Sequence, residues 1–423
     1  LRKLRIGSSG TDVAELQAVL KKIGYYNGAV DGCFGSLTEK AVEKVQYEYG
    51  VKVEKTVSDD VWNLLSKYIY GYDLYCVEKD VDLLEISKTY NIHPALLSAA
   101  NPGICLDSIN KGNTITVPLP FEVVSTNVPY TYEIMERNIK GLKARYPFLE
   151  CDIAGKSVMG RNLYYLKLGN GPKQYFFNAS HHSLEWITSV LLMKFAENFL
   201  RAYTLRENIG DFNIREIWGN STIYIMPMVN PDGVDLVLDG LEEENPYYNR
   251  LLIYNNGSTD FSKNWQANIR GVDLNHNYDA SWNLSKIAEP DYGILGPGPT
   301  RYSGLYPESE PETRAVTDFT RNHNFRLVIA FHSQGEVIYW NYQDMASPMD
   351  KIIAKKLSEA SGYQLDETEG IASFSGYKDW FIEKYNRPGF TVEVGNGVNP
   401  LPLSQFNAIY KDNEKLLLTA AVL

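Results

Sequence analysis

Four short apolar runs, residues 174–178, 223–229, 327–331 and 390–394, alternate with stretches of helical periodicity such as 186–203 and 310–322. A continuous apolar run of this length reads as a strand buried on both faces. Strands that alternate with amphipathic helices require those helices to cover one sheet from both sides. Residues 123–423 are therefore expected to form one large α/β domain on a parallel or mixed sheet with helices on both faces. In open sheets of this kind ligands bind beyond the carboxyl ends of the strands. There "YFFNAS" leads into "HHSLEW", "IYIMPMV" into "NPDG" and "LVIAF" into "HSQG", and "GFTVEV" carries Glu393 near its end. Two histidine-bearing turns and two acidic side chains are thus expected along one sheet edge.

Those residue types suit zinc, which takes imidazole nitrogen and carboxylate oxygen and, in hydrolytic sites, keeps a fourth position open for water. His181 precedes Glu185 by four residues and His182 by three, and either spacing can bring the pair to one face of a helical turn. One of these histidines, Glu185 and His332 make a ligand set. Glu393, a carboxylate outside that set, is the candidate to take a proton from the attacking water and pass it to the leaving amine. "SEPET" is read as a capping box, with Ser309 as cap and Glu312 reaching back, and "NPDG" as a turn. His93 and His323 are assigned to surface or packing.

The first 122 residues read as two small units. In residues 1–72, Asp12 caps a helix bearing Val13, Leu16, Leu20 and Ile23. "YYNGAVDGCFGS" connects it to a second helix with a Ser36–Glu39 capping box, and Val61, Trp62 and Leu65 mark a third. In residues 73–122 the order is βααβ: a strand at 74–77, a helix with Leu84, Ile86 and Tyr90, a second helix opened by Pro94, and the strand "NTITVP".

At these residues two resemblances appear. "GSSGTDVAELQAVLKKIGYYNGAVDGCFGSLTEKAVEKVQYEYG" resembles the peptidoglycan-binding domain attached to bacterial wall hydrolases, with small departures at Cys33 and Val45. "VEKDVDLLEISKTYNIHPALLSAANPGICLDSINKGNTITVP" resembles the LysM module, which binds glycans containing N-acetylglucosamine; Lys79 replaces its usual glycine. Residues 1–72 are close to charge balance and 73–122 are acidic, so a grip on the wall would rest on shape, hydrogen bonds and aromatic contact with sugars.

The third region is similar to the zinc carboxypeptidases of the carboxypeptidase A type. "HSLEWITS", "PMVNPDGVD", "GVDLNHNYDASW", "SEPET", "FHSQG" and "TVEVG" occur in that family's order. The resemblance implies one Zn²⁺ held by His182, Glu185 and His332, with Glu393 as general base and acid. His181 then falls outside the motif, as a supporting or groove-lining side chain. Asn275 matches the position that binds a substrate carboxylate, but His276 replaces the arginine beside it and cannot grip a carboxylate bidentately. Gln266 falls where the family's oxyanion-steadying arginine is expected, with Arg270 as the alternative. Ile371 falls at the place of the lid tyrosine. Lys378 sits where the side-chain pocket is read, and a cation there would favour an anionic substrate group.

Two wall-binding modules before such a peptidase resemble the bacterial γ-D-glutamyl-meso-diaminopimelate endopeptidases. The resemblance implies cleavage of peptidoglycan stem peptides at the γ-D-Glu–diaminopimelate bond. The partners would be peptidoglycan glycan and stem peptides, in the cell wall, outside the cell or in a spore compartment. A carboxypeptidase on other peptides and a wall-binding protein with an inactive peptidase domain are the alternatives. The net charge of −11 argues against a sequence-independent grip on nucleic acid. No apolar run approaches the ~18 residues of a membrane span, and no leader peptide is read, which decides nothing about export. Cys33, Cys76, Cys105 and Cys151 form no CxxC pair; buried free thiols are expected, with a Cys76–Cys105 bridge as the alternative.

Overall fold

In a computed structural model, which describes residues 1–104 and 108–423, the chain folds as two units: residues 1–150 with 197–207, and residues 151–196 with 208–423. The first unit opens with helices α1 (Thr11–Lys22), α2 (Ser36–Glu48) and α3 (Asp59–Tyr70). Val13, Leu16, Leu20, Val42, Val45, Val61, Trp62 and Leu65 close a core between them. The glycine-rich connection is pinned from inside. Buried Gln17 accepts from the Asp31 and Gly32 amides and donates to the Cys33 carbonyl.

Next come β1 (Tyr72–Cys76), α4 (Leu83–Tyr90), α5 (Pro94–Ala100) and β2 (Thr114–Pro118), with β1 and β2 antiparallel. Their separate core holds Val77, Leu83, Ile86, Leu97, Ile115 and Val117. Leu84 points to solvent and Leu83 takes its expected place. Asn101 ties α5 to β2 by exchanging hydrogen bonds with the Thr116 backbone. Helix α6 (Tyr132–Arg145) completes this unit.

The second unit is built on β3 (Glu150–Lys156), β4 (Asn162–Leu168), β5 (Lys173–Ala179), the short hairpin β6 (Asn208–Ile209) and β7 (Phe212–Asn213), and β8 (Ser221–Met226). It continues with β9 (Phe325–His332), β10 (Val337–Tyr339), β11 (Gln364–Asp366) and β12 (Gly389–Glu393). Eight strands form one mixed sheet in the order β11-β10-β12-β9-β5-β8-β4-β3. Its centre, β12-β9-β5-β8, is parallel. Phe176, Met226, Val328 and Ala330 join one core with α12 (Pro311–Arg321) and α14 (Tyr377–Tyr385). Tyr175, Phe177, Ile223 and Ile225 leave the opposite face and are equally buried. Covered faces explain why these strands read as mainly apolar runs rather than alternating ones. The remaining helices are α7 (Ile187–Leu205), whose residues from 197 on belong to the first unit, and α8 (Ile214–Asn220), α9 (Pro231–Asp239), α10 (Tyr248–Tyr254), α11 (Trp282–Ala288), α13 (Pro348–Ser361) and α15 (Phe406–Val422). Among the described residues no helix is long and apolar enough to cross a membrane.

Local expectations fail where a glycine or a buried partner competes for the cap. Gly10 and Gly35 stand at the helix starts assigned to Asp12 and Ser36, and neither capping bond forms. Glu310 precedes α12 without a side-chain cap: Ser309 Oγ donates to Glu310, and Glu312 accepts from the Val158 amide. "NPDG" opens α9, because Asn230 caps the Gly233 amide and Pro231 takes the first helical position. Cys33 and Cys76 are exposed, contrary to expectation, and Cys105 lies outside the described residues.

Candidate metal centre and active site

The parallel centre of the sheet ends at one edge, and the predicted residues meet there. After β5 the backbone turns at Ser180, with φ of 53°. A 3₁₀ turn follows at Ser183–Glu185. Ser183 fastens this turn by donating its hydroxyl to the Trp265 and Ala267 carbonyls and its amide to the Gln266 carbonyl. His332 ends β9, and Glu393 ends the neighbouring β12 at the same register position.

His182 Nδ1 lies 2.9 Å from Glu185 Oε1, and His332 Nδ1 lies 2.9 Å from Glu185 Oε2. The two Nδ1 atoms are 3.3 Å apart. Ligand atoms of all three residues lie within 4.8 Å of one another. On its far side, His182 Nε2 is 3.0 Å from Asp273 Oδ1. A carboxylate there accepts a hydrogen bond from Nε2–H, which leaves the Nδ1 lone pair facing Glu185 and His332. Two imidazole nitrogens and a carboxylate directed at one point match the donor set of zinc. The residues present therefore fit the metal.

The protein's own charges are strongly coupled here. Burial opposes ionisation of Glu185, but the nearby His182 and His332 outweigh it and hold the carboxyl down at about 2. Burial also opposes protonation of His182, while Glu185 and Asp273 outweigh it and raise its pKa. Burial and the charge of Glu185 push Glu393 well above the carboxylate range, against a smaller opposing effect of His182. A positive charge at the three-residue centre would lower it again.

His181 is fully buried and does not line a groove. Its Nε2 lies 2.7 Å from the Tyr278 hydroxyl, its ring stacks on His332 with centroids 5.5 Å apart, and burial pushes its pKa down. It is a neutral support beneath the third member of the cluster.

The other predicted residues divide. Gln266 is at the site: its carbonyl holds the Ser183 amide and its Oε1 accepts from the Thr300 hydroxyl. Arg270 pairs with Glu310 instead. Asn275 Oδ1 accepts from the Tyr377 amide, and its Nδ2 makes no bond among the described residues. His276 is buried, with Nδ1 unpartnered and a pKa lowered by burial. Lys378 is buried against Asp379 and donates to the Asn341 carbonyl, so its charge is already matched. That differs from the free cation expected. Ile371 is buried in a 3₁₀ turn.

Two supporting residues escaped the sequence reading. Asp273 lies two positions before Asn275 inside a motif that was noticed, but its role depends on a contact 91 residues away. Asn399 donates to the Ser333 carbonyl, accepts from the Ser333 hydroxyl and reaches Glu185 Oε1 at 3.5 Å. Nothing local in the sequence signals it.

This sheet, with its His–Glu–His cluster and adjoining glutamate at the carboxyl ends of parallel strands, has the design of a metallopeptidase. The sequence profile of the zinc carboxypeptidase family matches residues 135–415, and the chain belongs to that family. Within it, the chain is 40% identical over 294 residues to gamma-D-glutamyl-L-diamino acid endopeptidase 1 of Lysinibacillus sphaericus, a match covering 70% of this chain and 72% of that protein. Bovine thrombin-activatable fibrinolysis inhibitor, in complex with tick carboxypeptidase inhibitor, has the same fold. It shares 21% identity at a TM-score of 0.52, covering 69% of this chain and 96% of that one. A peptidoglycan binding domain profile matches residues 9–65.

Proposed function

We propose that the protein hydrolyses peptidoglycan stem peptides at the γ-D-Glu–meso-diaminopimelate bond. The convergence of His182, Glu185 and His332 beside Glu393 carries the peptidase reading. Similarity to the gamma-D-glutamyl-L-diamino acid endopeptidase of L. sphaericus supports the choice of bond. The peptidoglycan binding domain match supports the wall as the place of action, in the cell wall or outside the cell. We assign residues 1–72 to that module, 73–122 to a LysM module and 123–423 to the peptidase. Separate cores for the first two segments and their βααβ order in the second support this division.

In this reading His182, Glu185 and His332 would hold one Zn²⁺, whose chemistry there would be to acidify a water and polarise the scissile carbonyl. Glu393 takes a proton from the attacking water as the water oxygen bonds to the γ-carbonyl carbon. The C–N bond then breaks, and Glu393 returns the proton to the diaminopimelate amine. Gln266, beside the ligand turn, offers an uncharged amide to the carbonyl oxygen. Asn275 offers its free Nδ2 to a substrate carboxylate, with His276 beside it. Asp273 holds the His182 imidazole, and Lys378 braces the pocket wall through Asp379.

Mass analysis of L-Ala-γ-D-Glu-meso-diaminopimelate incubated with zinc-loaded protein tests the proposal. Release of L-Ala-D-Glu and diaminopimelate is the expected result. Loss of only a terminal D-Ala from longer stems, or no cleavage with zinc supplied, refutes it.

A further inference from the structure

A leaving residue that carries two carboxylates needs a cation beside the site, and most nearby cations are spent. Lys378 is matched by Asp379, Arg270 by Glu310 and Lys286 by Glu289. Gln266 and the neutral His276 supply none. Arg301 is different. It pairs with no carboxylate among the described residues, and its side chain is exposed. Its Cζ lies 5.6 Å from the Tyr292 ring centroid. The Tyr292 hydroxyl in turn accepts from the Ile371 amide at 3.4 Å. The guanidinium is also one of the charges that act on buried His276, whose Nδ1 lacks a partner.

The backbone at Arg301 is held in an unusual state. Its φ is 63°, a left-handed conformation that non-glycine residues rarely adopt. Asp273 Oδ2 accepts its amide at 2.8 Å, while Oδ1 of the same carboxylate faces His182. One carboxylate therefore ties the base of this arginine to the His–Glu–His cluster. An unpaired guanidinium stacked on an aromatic ring and fixed at its backbone is preorganised for a planar anion.

We propose that Arg301 binds a carboxylate of the residue on the leaving side of the scissile bond, and so sets the enzyme's preference for an acidic leaving group. This rests on the proposed stem-peptide reading and names the residue that recognises its diaminopimelate. Asn275 Nδ2 and His276 complete the polar surface around the same anion.

The test compares the stem tripeptide with its analogue carrying both diaminopimelate carboxylates as amides. Selectivity, the ratio of kcat/KM for acid over amide, is expected to fall about 10- to 100-fold in Arg301→Gln, the scale of one charged hydrogen-bond pair. The loss should lie mainly in KM, with zinc content unchanged, and Arg301→Lys should recover part of it. An unchanged ratio in Arg301→Gln overturns the assignment. Calorimetry of free meso-diaminopimelate on zinc-loaded wild type and Arg301→Gln reads the same contact without turnover. About tenfold weaker binding by the variant is expected, and equal affinity overturns the proposal. A wild type that binds the amino acid through Arg301 yet does not cut the tripeptide refutes the choice of bond alone.

Discussion

Replacing Asp273 with asparagine should weaken zinc binding without touching a ligand. The carboxylate is fully buried and accepts on both oxygens. Oδ1 faces His182 Nε2 at 3.0 Å and the Asn275 amide at 3.1 Å. Oδ2 faces the Arg301 amide at 2.8 Å and the Thr300 hydroxyl at 3.4 Å. Asparagine has one acceptor, so either orientation sets an NH₂ against a buried donor. With the oxygen towards His182, the imidazole keeps a weaker, uncharged partner and the Arg301 amide loses its own. An orphaned buried amide costs about 1–3 kcal/mol of stability. Loss of the carboxylate behind a ligating histidine weakens metal binding roughly 10- to 100-fold, about 1.4–2.7 kcal/mol. Competition with a fluorescent chelator reads the zinc affinity, and thermal melting of the zinc-free protein reads the stability. Zinc affinity within twofold of wild type would show that Asp273 does not govern the His182 lone pair.

Glu393→Gln should bind zinc normally and lose turnover on the order of 10³-fold, about 4 kcal/mol of barrier; an active variant would mean another group accepts the proton. His182→Ala should bind little zinc, whereas His181→Ala should keep the metal and lose roughly 2–4 kcal/mol of stability from the cavity beneath His332, which metal analysis and melting separate. Glu312, buried against the Val158 amide and Asn268, has its carboxyl pushed from the ordinary 4.5 to about 8 by burial and then by Asp232. Between these values the fold holds a proton that the unfolded chain has lost, so this group makes stability fall as pH rises from about 4.5 to about 8. Glu312→Gln should flatten the wild-type decline in Tm across that window, and an unaltered slope would refute the assignment.

The central sheet was legible because its four inner strands are largely buried on both sides and carry mostly apolar residues between their ends. The metal cluster was legible in pieces: His182 and Glu185 share one turn, while His332 and Glu393 stand at strand ends. The choice between His181 and His182 was not visible in spacing. The structure separates them by burial, sending one ring under His332 and the other towards Glu185. The failures share a cause. Ser309, Glu312 and Lys378 read as local caps or free charge, yet each is engaged by a residue that the fold brings near. Asp273 and Asn399 reach the cluster only through such distant contacts.

The register pairing of His332 with Glu393 has an evolutionary consequence. Their spacing is fixed by backbone hydrogen bonds between adjacent parallel strands, so a one-residue slip of β12 would turn Glu393 to the wrong face of the sheet. The placement of His332 beside Glu393 is thus written into the least changeable part of the molecule. Arg301, Tyr292 and Ile371 lie in connections between strands, outside that constraint. Such segments can be exchanged while the sheet stays intact. On the proposed reading, substrate choice would rest on such loop positions, while the pairing of His332 with Glu393 stays with the sheet.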